Sequence, residues 1–93
     1  MQHGGVTLVN MPRGSQPVSG PFAAAVSAEV RAEKARQRLT DKELAEAAGL
    51  SPSYLGKRLR DEAPLTLNDI QAICAALHVP LGQMLSSAAS EIE

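Results

Sequence analysis

Apolar residues recur along this chain at intervals of three and four, in blocks bounded by residues that start or stop helices. From about Pro21 to Arg38, Phe22, Val26 and Val30 are spaced by four and Ala35 and Leu39 extend the stripe, which predicts a first helix opened by Pro21. Thr40 and Glu43 have capping-box spacing, so a second helix starts there, turns Leu44, Ala45 and Ala48 inward and stops at Gly49, where left-handed backbone carries no steric cost. A third helix follows at once: Ser51 is its N-cap, Pro52 its first residue, and Leu50, Leu55 and Leu59 supply the inward side. So short a turn makes the two helices cross steeply. Asp61 to Pro64 reads as a loop. Thr66 then caps a fourth helix with Asp69 in its first turn, Leu67, Ile70, Ile73, Cys74 and Leu77 as core, and His78 near its C-terminus, where positive charge suits the dipole. Pro80 opens a fifth, with Leu81, Met84, Leu85, Ala88 and Ile92 as its apolar stripe. Leu81, Met84 and Leu85 are expected to seal the domain, leaving Ala88 and Ile92 to reach beyond it.

The stretch ahead of these helices has a different character. Residues 1–20 are rich in Gly, Pro, Ser and Asn, hold no acid and show no helical period, so a flexible N-terminal arm is expected before a single domain at 21–93. A tail is the simplest reading of that arm; a DNA-touching arm carrying Arg13 is the alternative.

Composition narrows the fold class to all-α. Among 93 residues, 44% are hydrophobic but only 2% aromatic, and a core of Ala, Leu, Val and Ile favours closely packed helices over a β-sandwich. Apolar runs of a few residues leave no membrane span, and no basic start with an apolar stretch marks a secretory signal. One cysteine, Cys74, allows no internal disulfide and suits a cytoplasmic protein.

Charge changes the picture more. The net charge of −1 divides unevenly: residues 1–60 hold all nine Lys and Arg against five acids, +4, while residues 61–93 hold five acids alone, −5. Such a split points to a polyanion on one side and solvent or protein on the other. The third helix concentrates the basic part. Its outward residues are expected to be Ser53, Tyr54, Gly56, Lys57, Arg58 and Arg60, and no acid occurs from Ala47 to Arg60. Three cations, a tyrosine and small polar groups pack poorly but contact phosphates and base edges well.

From Val26 to Leu85 the chain resembles the phage-repressor and Cro type of helix-turn-helix, also called lambda-repressor-like or Xre-like. The resemblance rests on Leu39-Thr40-x-x-Glu43-Leu44-Ala45-x-x-x-Gly49-Leu50-Ser51-x-x-x-Leu55, followed by Leu67-x-x-Ile70-x-x-Ile73-Cys74-x-x-Leu77-x-Val79. It implies a compact five-helix domain whose second and third helices form the motif. It also implies that Pro52, Ser53, Lys57 and Arg58 face base edges, while Thr40, Lys42, Ser51, Tyr54 and Arg60 contact phosphates. Two positions depart from the family. Asp41 stands where Gln often grips the DNA backbone, and is expected to need a donor such as Lys42 or Lys57. Pro52 has no hydrogen bond to offer a base and is left with thymine methyls.

The function implied is a sequence-specific double-stranded-DNA-binding transcription regulator, a phage- or prophage-type repressor acting as a homodimer on an inverted repeat. Leu85, Ala88 and Ile92 are the dimerisation candidates. The alternative is an antitoxin of the same fold that binds both DNA and a toxin protein through its acidic C-terminal third. An enzyme is not expected: His3 and His78 lie far apart, Cys74 falls on an apolar face, and no metal-ligand spacing or phosphate-binding glycine loop occurs. No cofactor, metal, small-molecule ligand or membrane partner is implied.

Overall fold

The computed structural model describes residues 17–93, which form five helices: α1 (Pro21–Arg36), α2 (Asp41–Ala48), α3 (Pro52–Leu59), α4 (Leu67–Leu77) and α5 (Leu81–Ile92). Arg13 lies outside the described residues. α1 packs chiefly on α5 and also on α3 and α4; α2 packs on α4 and α3; α4 packs on α5. The chain turns by 114° between α4 and α5. No single described helix is long and apolar enough to cross a membrane.

Three helix starts repeat one local device. Thr40, Ser51 and Thr66 each accept a hydrogen bond from the backbone N–H three residues on, and the Glu43 and Asp69 carboxylates accept one from the N–H of Thr40 and Thr66. Before each cap stands a leucine, and five residues after that leucine stands a second aliphatic residue: Leu39 with Leu44, Leu50 with Leu55, Leu65 with Ile70. All six belong to the core or pack against it, as hydrophobic staples require. Cap and staple together set the angle at which the chain enters α2, α3 and α4.

The helix ends share a second device. After α1, α2, α3 and α4 one residue turns left-handed: Arg38 (φ 58°), Gly49 (φ 75°), Asp61 (φ 63°) and His78 (φ 59°). The next N–H then reaches a carbonyl five residues back, Leu39 to Lys34, Leu50 to Ala45, Glu62 to Lys57 and Val79 to Cys74. These are Schellman ends. Only the Gly49 turn is legible in the sequence, because only Gly49 is glycine. Arg38's left-handed backbone also ends α1 at Arg36, two residues short of the expected Arg38.

The core joins Val26, Val30, Leu44, Ala45, Leu55, Ile73, Leu77, Met84 and Ala88. Several expected core positions are corrected. Leu67 is 78% exposed, because Leu65 ahead of the cap already fills the space under the start of α4. Phe22 and Leu81 are exposed, since each lies in the first turn of its helix beyond the last fully covered position. Ala35 is also exposed; the buried side of α1 centres on Ala25, Val26, Ser27 and Val30. Ala88, expected on the surface for a partner, is fully buried within this chain.

Candidate nucleic-acid interface

α3 carries three stripes, and packing decides which one meets solvent. Leu55 and Leu59 are buried. Tyr54 and Arg58, one turn apart, form a second stripe. Ser53, Lys57 and Arg60, at i, i+4 and i+7, form the third, and all three are exposed. Pro52 is exposed at the start of the helix, beside Ser53. Gly56, expected to face outward, is buried.

The Tyr54–Arg58 stripe corrects the expectation that both face outward. Arg58 is 7% exposed and its guanidinium lies 3.6 Å from the centre of the Tyr54 ring. The Tyr54 hydroxyl donates to Asp69 Oδ2 at 2.7 Å, and the same oxygen accepts from the Thr66 N–H at 3.0 Å. The hydrogen bond to Asp69 raises the Tyr54 pKa above its ordinary value, so the hydroxyl keeps its proton and spends it on Asp69. Thus the cap of α4 holds the aromatic ring, and the ring holds Arg58 by a cation–π contact. Tyr54 thus ties α3 to α4, and Arg58, folded onto its ring, is withdrawn from the exposed stripe of α3.

α1 holds the other end of α3. Ser27, fully buried, donates to the Arg58 carbonyl at 3.3 Å, and Arg31 Nη1 donates to the Leu59 carbonyl at 2.6 Å while lying 3.7 Å from Asp61 Oδ2. A cation on the last carbonyls of a helix also suits its dipole. Ser27 and Arg31 had no assigned role in the sequence, because nothing local says that α1 will cross the end of a helix 28 residues later. Gln37 does the same for α4: its amide donates to the Leu77 carbonyl at 2.7 Å and to Glu33 Oε2 at 2.9 Å. That bond, with one from Arg36, pulls the Glu33 pKa down.

Hydrogen-bond donors remain at the exposed ends. The Thr40 and Ser51 side-chain oxygens each accept from a backbone N–H at 3.1 Å, which leaves each hydroxyl proton for another acceptor. Asp41 pairs with Lys34 Nζ at 3.1 Å, so its donor comes from α1 and not, as expected, from Lys42 or Lys57. Arg60 pairs with Glu62 at 2.7 Å. Among the described residues, Arg38, Lys42 and Lys57 have no ion-pair partner. They come from the α1–α2 turn, the first turn of α2 and the middle of α3. Arg38 was not foreseen; the lack of any acid from Gln37 to Thr40 was the available signal.

Other groups are chemically quiet. Cys74 is buried, and burial pushes its thiol pKa up. Among the described residues no cluster of His, Cys, Asp or Glu has the arrangement to hold a metal ion.

Two short capped helices joined by a left-handed glycine, the second exposing a polar and basic stripe within a five-helix core, define a helix-turn-helix domain. The helix-turn-helix family model matches residues 30–84, and the chain belongs to this family, of the Xre and lambda-repressor type, a class of DNA-binding transcription regulators. Solved structures share the fold. The clp gene regulator ClgR from Corynebacterium glutamicum superposes with a TM-score of 0.72 at 28% identity, over 81% of this chain and 97% of its own. The wild-type restriction-modification controller protein C.Esp1396I gives a TM-score of 0.72 at 20% identity, over 80% of this chain and 95% of its own. The controller protein C.AhdI from Aeromonas hydrophila gives 0.62 at 22% identity, over 67% of this chain and 94% of its own. At such identities the controller proteins speak for the fold alone. No curated protein matches the chain in sequence.

Proposed function

We propose that this protein is a sequence-specific repressor of the phage or prophage type, which lays α3 in the major groove of an inverted-repeat operator and acts as a homodimer. The observation that carries the reading is the exposed Ser53–Lys57 stripe, with Lys57 lacking an ion-pair partner among the described residues, flanked by the hydroxyls of Thr40 and Ser51. A lysine one turn along a groove-bound helix is well suited to guanine O6 and N7, and Ser53 to either base edge. Pro52 offers only an apolar contact to a thymine methyl. Thr40, Lys42, Ser51 and Arg60 serve phosphates; Tyr54 holds α3 against α4, and Arg58 packs on its ring. ClgR, a gene regulator by name, supports a role in transcription.

A single domain of this size buries too little surface for tight and specific binding, which favours two copies on half-sites about one helical turn apart. Ile92, 47% exposed, with Leu81 and the partly buried Leu85, forms the apolar stripe of α5 that a second copy would cover. Ala88 drops out of that surface. The test is selection of bound duplexes from a random pool, followed by titration of wild type and Lys57→Ala. The variant should lose about 1–3 kcal/mol on the selected site and relax one of its positions. Equal loss on every sequence would reassign Lys57 to a phosphate, and binding insensitive to salt would remove the electrostatic basis of the reading.

A further inference from the structure

The outward stripe of α3 ends in a cation that is already engaged. Arg60 Nε donates to Glu62 Oε2 at 2.7 Å, although their side chains are 63% and 50% exposed. The guanidinium also folds back along the helix. Its Nη1 lies 3.2 Å from the point a Cβ on Gly56 would occupy, and Asp41 Oδ2 lies 3.9 Å from that point. The missing side chain at Gly56 thus leaves a seat for Arg60 beside the start of α2. Asp41 is occupied by Lys34 at 3.1 Å, which leaves Glu62 as the direct partner of Arg60.

We infer that Glu62 stands in for a DNA phosphate: it holds the Arg60 guanidinium in the free protein and surrenders it when the DNA backbone takes its place. Carboxylate and phosphate oxygens offer a guanidinium the same kind of charged acceptor. Glu62 touches no base in this scheme. It lowers affinity for all sequences alike, and so sets how much binding must come from Ser53 and Lys57. Each partner favours the charged form of the other, and Lys57 also lowers the Glu62 pKa, so the carboxylate is ionised when it meets DNA. The inference rests on the proposed DNA-binding role of this face.

The experiment is a double-mutant cycle with Glu62→Gln, Arg60→Ala and both together, using the full chain. Fluorescence anisotropy would follow binding to the selected duplex and to a random duplex over a range of KCl concentrations. An exposed ion pair of this kind corresponds to about a two- to five-fold change in affinity. Glu62→Gln should therefore tighten both duplexes by about that factor at low salt, and make log Kd against log salt steeper by up to about 0.9, the value of one phosphate contact. In the Arg60→Ala background the gain should largely vanish. An equal gain in that background would show Glu62 acting as a bulk negative charge and overturn the inference; so would no gain, or a gain confined to the selected duplex. If wild type binds steeply with salt and Glu62→Gln binds identically, this inference alone fails. If neither binds any duplex at low salt, the DNA-binding reading fails and takes the inference with it.

Discussion

Tyr54→Phe isolates one bond at the junction of α3 and α4. The substitution keeps the ring under Arg58 and deletes only the hydroxyl that donates to Asp69 Oδ2 at 2.7 Å. Asp69 is 6% exposed, and its Oδ2 then keeps the hydrogen bond from the Thr66 N–H at 3.0 Å. A hydrogen bond to a charged group contributes about 1.5–3 kcal/mol. Tyr54 is half-buried, so water can partly replace the lost donor and the lower end, about 1.5–2 kcal/mol, is expected. For a domain of this size that loss corresponds to a fall in Tm of about 6–15 °C. Urea unfolding followed by circular dichroism should show a lower midpoint and an unchanged slope. Tyr54 is the only tyrosine and there is no tryptophan, so its ionisation can be followed directly by absorbance. Its raised pKa means that the folded state holds the proton more tightly than the unfolded state. The contribution is therefore complete below about pH 10 and is lost as pH rises through the folded pKa. Wild type should lose its advantage over Tyr54→Phe in that alkaline range. A stability loss under about 0.5 kcal/mol, or an equal loss in an Asp69→Ala background, would show that the Tyr54–Asp69 bond is not its source. If the variant instead keeps its stability and binds DNA more weakly, Tyr54 belongs with the phosphate contacts.

Two further predictions concern stability. His78 is exposed with φ 59°, and His78→Gly should stabilise by about 0.5–1 kcal/mol, the relief of left-handed strain less the extra chain entropy of glycine; an unchanged or lower thermal midpoint would count against the strain. Glu29 on α1 has its pKa raised first by a hydrogen bond with Glu91 on α5 and then by desolvation. The folded state thus holds that proton more tightly, and the Glu29 contribution is lost as pH rises above the ordinary value of 4.5. Relative to wild type, Glu29→Gln should be neutral below that pH and more stable at pH 7; a difference independent of pH in urea titrations would remove the carboxyl pair as its cause.

Features that depend on neighbours three to five residues apart are legible in the sequence alone. Thr40 with Glu43, Ser51 with Pro52, and Thr66 with Asp69 mark helix starts because a cap is a bond to the backbone three positions on. Gly49 marks a stop because its freedom at positive φ is intrinsic. From these and the apolar spacing came all five helices and the helix-turn-helix at α2 and α3. The same local reading could not see that Arg38, Asp61 and His78 would also turn left-handed, since their composition does not announce it.

Tertiary structure decided which polar residues are free to act. Lys57 and Arg58 are adjacent cations and locally equivalent. One stays in solvent, while the other is drawn onto Tyr54, because Asp69 on α4 fixes that ring. Arg31 and Ser27 look like ordinary surface and filler residues until α1 crosses the end of α3, where they bind its last carbonyls. Ala88 looked available for a partner, yet the packing of α1 on α5 buries it, whereas Leu67 looked like core and was displaced by Leu65. A periodic stripe states that a helix has an apolar side; it does not state where along that side the covering helix ends. Only the packed arrangement sets that limit, and with it the exposed stripe of α3.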